Sequence, residues 1–219
     1  MPVRPRDAAS LILVRQGKDE PEILMGKRRR KASFMPDVYV FPGGKLDLED
    51  RHAKPASSLE AGFTQHLGVN NQASYAQALG MAAVRETFEE AGLMLGELGD
   101  VGEIDSESWQ MIRETGMAPA LSKLSYIGRA ITPSNSDIRF HARFFTANAE
   151  DFSGELGGSG ELEDLHWRSL SETQQLPIID VTEFMLSELA RLLSDEGPKK
   201  HPLFSYRNNQ PHIRYRMHT

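Results

Sequence analysis

The sequence contains no cysteine, and this absence removes several kinds of chemistry. Disulfide bridges, thiolate zinc sites and cysteine nucleophiles are all excluded. The absence is compatible with a reducing compartment, and we expect a cytoplasmic protein. The chain has 219 residues, of which 39% are hydrophobic and 26% are charged. A chain of this size and composition can bury a core without covalent cross-links.

Long hydrophobic runs are also missing. No stretch approaches the roughly 18 apolar residues of a membrane span, and the first residues lack the apolar core of a signal peptide. The formal net charge of −6 disfavours a dedicated nucleic-acid binder, because such proteins neutralise phosphates with basic side chains. We therefore expect a small-molecule partner and neither membrane nor nucleic acid. The oligomeric state stays open, with a homodimer among the alternatives.

The stretch 75–91 has the pattern of one long helix, and the rest of the chain is interpreted around it. Apolar side chains recur there at steps of three or four residues, at Met81, Val84, Phe88 and Ala91. Such a stripe faces a core. Gly92 follows where helices commonly end in a left-handed residue, which glycine adopts without a steric penalty.

Three carboxylates of this helix share one face. Glu86, Glu89 and Glu90 stand at i, i+3 and i+4, a spacing at which like charges repel by roughly 0.2–0.5 kcal/mol per pair. One interpretation is a solvated acidic surface. The other is a platform for Mg²⁺ or Mn²⁺, because magnesium prefers carboxylate oxygens.

A basic run and a glycine turn precede the helix. Residues 27–31 are five consecutive cations, and residues 42–44 read Pro-Gly-Gly. The run is either a solvated loop or a phosphate-binding loop, since arginine pairs bidentately with phosphate oxygens. The two glycines permit a sharp turn or a close backbone approach. We predict these residues as substrate-binding: Arg28, Arg29, Arg30, Gly43 and Gly44.

Apolar or alternating runs predict strands, and period-3.6 patterns predict two further helices. The predicted strands are 8–15, 22–27, 38–41, 124–131, 138–146 and 165–170. The predicted helices are 106–115 and 181–193, and Gly197-Pro198 is predicted to end the second one. In the last helix we expect five apolar side chains to point inward, namely Phe184, Leu186, Leu189, Leu192 and Leu193. Strands interleaved with helices indicate an α/β or α+β fold with a mixed sheet between helices.

Two segments are predicted to lie outside this regular pattern. Residues 51–75 are interpreted as an insertion with short helices over 53–61 and 63–67. Residues 198–219 are interpreted as a basic surface tail, ordered or partly disordered. We expect one domain over residues 1–219.

The residues now described resemble a known motif. Gly44 together with residues 85–93, RETFEEAGL, is similar to the Nudix box, with Thr87 where that family prefers a larger apolar residue. Asp50 stands at the position of the first-half glutamate, next to Glu49, and we assign it no ligand role. The 40 residues from 45 to 84 exceed the spacing of the motif. This long spacing, with Phe41-Pro42 before the glycines, resembles the coenzyme A and acyl-coenzyme A diphosphatase branch.

The resemblance implies a Nudix fold, a mixed sheet sandwiched between helices. It implies Glu86, Glu89 and Glu90 as ligands of Mg²⁺ or Mn²⁺, with Arg85 orienting them. The general base stays open between Glu89, Glu90 and a glutamate of the glycine-rich loop 153–160 and its flank. Glu161 and Glu155 are the candidates there.

The resemblance also implies the reaction. Members hydrolyse the pyrophosphate linkage of a nucleoside diphosphate joined to another group, X. We expect coenzyme A or acyl-coenzyme A as substrate. The alternatives are ADP-ribose or a nucleotide sugar as substrate, and a nucleotide-binding module without catalysis.

Overall fold

The long strand at the start of the chain lies in the interior of the main sheet. The computed structural model describes residues 3–194 and 200–217. The first elements are β1 (Arg6–Gln16), β2 (Pro21–Arg28), β3 (Tyr39–Val40), β4 (Gly43–Lys45) and α1 (Ala73–Ala91). The next are β5 (Met94–Leu98), α2 (Glu107–Glu114), β6 (Met117–Pro119), β7 (Ser125–Ile131) and β8 (Phe140–Asn148). The last are β9 (Phe152–Ser153), β10 (Leu162–Ser169), α3 (Leu170–Thr173), α4 (Asp180–Leu193), β11 (Lys200–Arg207) and β12 (Gln210–Met217).

The main sheet is mixed, as predicted. Its order is β10-β2-β1-β8-β7-β11-β12, with β3 beside β2 and β4 beside β1. The pairs β1–β8 and β7–β11 are parallel, and the others are antiparallel. Strands β5, β6 and β9 form a separate small sheet. Helix α1 packs against β1 and helix α4 against β7.

The two faces of the sheet carry two separate cores. Ala9, Leu11 and Leu13 of β1 are buried in the cluster that contains α1. Ile12 is buried in the other cluster, which contains Met185 and Leu189 of α4. Successive side chains of a strand point to opposite faces, so both faces of β1 are covered. The helix-sheet-helix layers predicted from the sequence are confirmed.

The C-terminal end of α1 agrees with the sequence pattern. The helix stops at Gly92, whose φ of 71° is left-handed. Its N–H donates to the carbonyl of Phe88 at 2.9 Å. No helix in the described part of the chain combines the length and hydropathy needed to span a membrane.

The two short helices that were predicted within the insertion do not form. Its only regular element after residue 51 and before α1 is a single 3₁₀ turn at Ala61–Phe63. Phe63 and Leu67 nevertheless join the core on the α1 side. Over 53–61 the backbone N–H groups of Lys54 and Ala56 donate to the Val101 and Pro119 carbonyls at 3.0 and 2.9 Å. This stretch therefore pairs with distant segments instead of forming helical hydrogen bonds.

The predicted inward set of α4 is partly wrong. Leu186 and Leu189 are buried, but Leu192 and Leu193 are 46% and 45% exposed. These two leucines lie in the last turn of α4, after Leu189, the last helix residue in the core.

Residues 200–217 were predicted to belong to a surface tail, and this prediction is wrong. Its described residues form the hairpin β11–β12, and β11 extends the main sheet by pairing with β7. Asn208 and Asn209 make the two-residue turn with φ of 51° and 60°. Asparagine tolerates positive φ, which two-residue hairpin turns require. The predicted helix end at 197–198 lies outside the described residues.

We predict that Gly92→Ala destabilises the protein more than Gly116→Ala. Both glycines have a left-handed φ, 71° and 70°, so each alanine pays about 1–2 kcal/mol for that conformation. Only at residue 92 would the new Cβ collide, at 2.6 Å from the Glu155 carbonyl oxygen, because nothing lies within 4 Å at residue 116. Denaturant unfolding measures both changes, and equal losses of unfolding free energy would contradict the packing of the 153–160 loop against α1.

Candidate functional site: a buried arginine and three carboxylates beside a cavity

Arg85 is the centre of a network of charges beneath the main cavity. Its side chain is only 4% exposed. One guanidinium nitrogen donates to Glu86 at 3.0 Å and to Glu89 at 2.9 Å, the second contact being the i, i+4 pair predicted from the sequence. The arginine therefore holds two of the three carboxylates of α1 in place.

Asp50 binds the opposite edge of the same guanidinium. Its two carboxylate oxygens accept from Nε at 2.7 Å and from Nη2 at 3.0 Å. Asp50 also accepts from the Trp109 indole at 3.1 Å and from the Asp47 backbone N–H at 2.8 Å. No ligand role was predicted for Asp50, and in the structure it is the buried counterion of Arg85.

Glu86 lies directly against the glycine turn. A Cβ on residue 44 would occupy the space of the Glu86 carboxylate, so a larger residue there would displace this carboxylate from its present position. Burial raises the pKa of Glu86 to about 7. The charge of Arg85 opposes this shift, and the charge of Glu89 adds to it.

Glu90 is fixed by the neighbouring glycine. Its carboxylate accepts the backbone N–H of Gly43 at 2.8 Å, and the residue is 4% exposed. Burial raises the pKa of Glu90 to about 8, although the Gly43 N–H lowers it. The charge of Glu161 adds to the rise, and that of Arg28 opposes it. Both side chains therefore lie near Glu90.

The glycine-rich loop contacts the C-terminal end of α1. The N–H of Gly157 donates to the Ala91 carbonyl at 2.9 Å, and the N–H of Ser159 donates to the Glu89 carbonyl at 2.7 Å. Gly158, with φ of 111°, lies so close that a Cβ there would be 2.8 Å from the Glu89 carbonyl oxygen. The loop is therefore hydrogen-bonded to the helix that carries the carboxylates.

A cavity of about 610 Å³ opens above these groups. At one end it is lined by Gly43, Gly44, Arg85, Glu86, Glu89 and Glu90. Arg28, Lys45 and Glu161 also line it. The remaining lining mixes apolar side chains, among them Phe34 and Phe204, with polar ones, among them Arg6 and Ser10. The cavity thus extends from the carboxylates over a surface of mixed polarity.

Only some of the residues predicted to bind substrate line the cavity. Arg28, Gly43 and Gly44 line the cavity, whereas Arg29 and Arg30 are outside its lining. The Arg29 guanidinium lies 3.9 Å from Glu163, and Arg30 is exposed.

Of the two glutamates of the loop that were predicted as candidates for the general base, only one lines the cavity. Glu161 lines the cavity, and Glu155 does not. Phe204 and Tyr206 also line the cavity, and neither residue was predicted to belong to the site. The asparagine pair between two alternating runs was the signal for the hairpin that carries them.

The three carboxylates of α1 are chemically suited to bind a divalent cation. Three carboxylates from one helix face a single cavity, and two of them are almost fully buried. Carboxylate oxygens are the ligands that Mg²⁺ prefers. As they stand, no three His, Asp or Glu side chains within residues 3–194 and 200–217 form a ready metal site. The present partners of these carboxylates are Arg85 and the Gly43 N–H.

No model of a known protein family matches the chain, but individual proteins do. The chain is 28% identical over 173 residues to the Caenorhabditis elegans protein called nudix hydrolase 7, covering 74% of this chain and 50% of that protein. It is 32% identical over 95 residues to acyl-coenzyme A diphosphatase NUDT19 of Xenopus laevis, covering 34% of this chain and 25% of that protein. The chain therefore spans half or less of these relatives' length.

A solved structure matches over nearly the whole fold. The crystal structure of a NUDIX hydrolase from Alicyclobacillus acidocaldarius superposes with a TM-score of 0.63 at 26% sequence identity. The match covers 84% of this chain and 90% of that chain. The similarity thus extends over most of both chains.

We predict that Asp50→Ala costs about 3–5 kcal/mol of unfolding free energy, because it leaves the buried Arg85 without its bidentate partner. Asp47→Ala is the matched control. The Asp47 carboxylate is 3.7 Å from Arg85 and its side chain is 37% exposed, so we expect a loss below about 1 kcal/mol. Thermal or urea unfolding measures both, and similar losses would show that Asp50 is not the main counterion.

Proposed function

The chain belongs to the Nudix hydrolase superfamily, and on that premise we propose that it hydrolyses the pyrophosphate linkage of a nucleoside diphosphate joined to a group X. The observation that carries this proposal is the convergence of three α1 carboxylates, the Gly43-Gly44 turn and Arg28 on one cavity. Negative groups for a cation and a positive group for phosphate oxygens stand side by side there.

The carboxylates Glu86, Glu89 and Glu90 would hold Mg²⁺ or Mn²⁺. When bound, such a cation neutralises the charge of the diphosphate and lowers the pKa of a bound water. The chain's own contribution is to keep the ligands in position. Arg85 fixes Glu86 and Glu89, and the Gly43 N–H fixes Glu90.

The reaction needs a water as nucleophile and a group that accepts its proton. Water attacks one phosphorus, the bridging P–O bond breaks, and two phosphate monoesters leave. Glu89, Glu90 and Glu161 are the candidate bases, since all three line the cavity. Glu155 is a weaker candidate because it is exposed and lies outside the lining.

For the group X, we propose coenzyme A or an acyl-coenzyme A. The Xenopus laevis relative is named an acyl-coenzyme A diphosphatase, which supports this choice. Arg28 supports it as well, because a guanidinium within the cavity pairs bidentately with phosphate oxygens. ADP-ribose and nucleotide sugars are the alternative substrates, and a nucleotide-binding module is the alternative without catalysis. Retention of all three α1 carboxylates favours catalysis.

We predict that Glu89→Gln and Glu90→Gln each lower kcat by about 10²–10⁴-fold, the range for losing an acid–base or ligand group. The assay is Mg²⁺-dependent hydrolysis of coenzyme A, decanoyl-coenzyme A, ADP-ribose, NADH and diadenosine polyphosphates. A chelator should abolish turnover, and added Mg²⁺ or Mn²⁺ should restore it.

The control for these variants is Glu183→Gln, an exposed glutamate of α4 outside the cavity lining. Its activity should equal that of the unmodified chain. Undiminished activity of both α1 variants would remove the mechanism. Hydrolysis of no compound in the panel would favour the binding module.

A second prediction concerns the basic run. Arg28→Ala should raise KM for coenzyme A by about 10–100-fold, the effect of losing a charge-assisted hydrogen bond of about 1.5–3 kcal/mol. Arg30→Ala is the matched control, because Arg30 is exposed and outside the cavity lining. Equal KM values for the two variants would contradict phosphate binding by Arg28.

A further inference from the structure

The buried carboxylate of Asp50 is fully occupied by hydrogen-bond donors. Its Oδ1 atom accepts from Arg85 Nε at 2.7 Å and from the Trp109 indole N–H at 3.1 Å. Its Oδ2 atom accepts from Arg85 Nη2 at 3.0 Å and from the Asp47 backbone N–H at 2.8 Å. A carboxylate offers about four acceptor positions, so these donors together fix where the Asp50 carboxylate lies.

The guanidinium of Arg85 is held just as completely. Nε and Nη2 donate to Asp50, and Nη2 also donates to the Lys45 carbonyl at 3.1 Å. Nη1 donates to Glu86 at 3.0 Å and to Glu89 at 2.9 Å. The N–H donors of an arginine lie in one rigid plane. A shift of Asp50 that turns this plane therefore also moves the donors that reach Glu86 and Glu89.

Trp109 is the residue through which helix α2 joins this network. Its ring is fully buried in the core on the α1 side, together with Ile112 of the same helix. Neither Trp109 nor Asp50 belongs to the cavity lining. Any effect of the Trp109 indole on a ligand in the cavity must therefore pass through Asp50 and Arg85.

The Trp109 indole has two properties that substitution can separate. Its ring fills space in the core, and its N–H donates to Asp50. Phenylalanine keeps most of the ring volume and has no donor. Histidine loses the six-membered ring but keeps a donor, because its Nε2 lies as many bonds from Cβ as the indole Nε1 does. A role in packing and a role in hydrogen bonding therefore predict opposite rankings of the two substitutions.

We propose that Trp109 is a positioning residue for the cation ligands, and that its N–H acts through Asp50 and Arg85 on Glu86 and Glu89. The inference rests on the proposed function, because it takes those glutamates to hold the divalent cation. Outer groups that orient metal ligands change metal affinity by about 10–100-fold when they are removed. Because Asp50 and Arg85 lie between Trp109 and the ligands, we expect a smaller loss of about three- to tenfold.

Binding of Mn²⁺ to the full chain without substrate tests this inference, with free Mn²⁺ measured by electron paramagnetic resonance. Trp109→Phe should bind Mn²⁺ about three- to tenfold more weakly than the unmodified chain. Trp109→His should bind it within about twofold of the unmodified chain, although the lost ring volume should lower its free energy of unfolding more than Trp109→Phe does.

The matched control is Trp167→Phe. Trp167 also packs against the core on the α1 side, and it lies outside the cavity lining. The Arg15 guanidinium covers its ring at 4.5 Å from the centroid, so this tryptophan belongs to a different contact. Trp167→Phe should keep the Mn²⁺ affinity of the unmodified chain. Urea unfolding checks each variant, and if one Trp109 variant does not fold, the other is compared with Trp167→Phe.

Unchanged Mn²⁺ affinity in folded Trp109→Phe, or equal losses in Trp109→Phe and Trp167→Phe, would overturn the inference. An affinity that follows ring volume, retained in Trp109→Phe and lost in Trp109→His, would overturn it as well. No Mn²⁺ binding by the unmodified chain would overturn both this inference and the cation site. The expected Mn²⁺ affinities without hydrolysis of any compound in the panel would retain the role of Trp109 and reject the proposed hydrolysis.

Discussion

The burial of one guanidinium among acidic side chains is the constraint on which the site depends. Arg85 sits at the surface of α1 that faces the sheet edge, with Asp50 on one side and Glu86 and Glu89 on the other. Bringing a cation into the protein interior is unfavourable unless it is paired and hydrogen-bonded. The bidentate contact from Asp50 meets that requirement, so the remaining nitrogen can hold carboxylates that face the cavity.

Glycine allows the rest of the chain to approach this network. Gly44 brings β4 against Glu86, Gly43 supplies its N–H to Glu90, and Gly158 brings the loop before β10 onto the end of α1. In each case a Cβ would occupy space already filled by the helix or by a neighbouring strand. Two separate parts of the chain, β4 and the loop before β10, thus meet at one helix, and the loop leads directly to Glu161.

Much of the local structure could be predicted from the sequence. The periodic apolar stripe placed α1 correctly within two residues, and the alternating or apolar runs placed β1, β2, β7 and β8. The insertion was harder, because Phe63 and Leu67 are buried by distant partners without any periodic pattern. The hairpin β11–β12 was missed, since its turn residues Asn208 and Asn209 lie in a basic stretch without a long apolar run.

The sequence by itself determined α1, its stop at Gly92, the shared face of its three glutamates and the contact of Arg85 with Glu89. All of these depend on residues within one or two helical turns. Only the tertiary structure decided that Asp50 would face Arg85 and that Ala8, Ala142, Ala130 and Phe204 would line one cavity. Those neighbours are set by strand register and by parallel pairings such as β1–β8 and β7–β11. Parallel strands are joined by long crossovers, so local spacing carries no record of which residues they align.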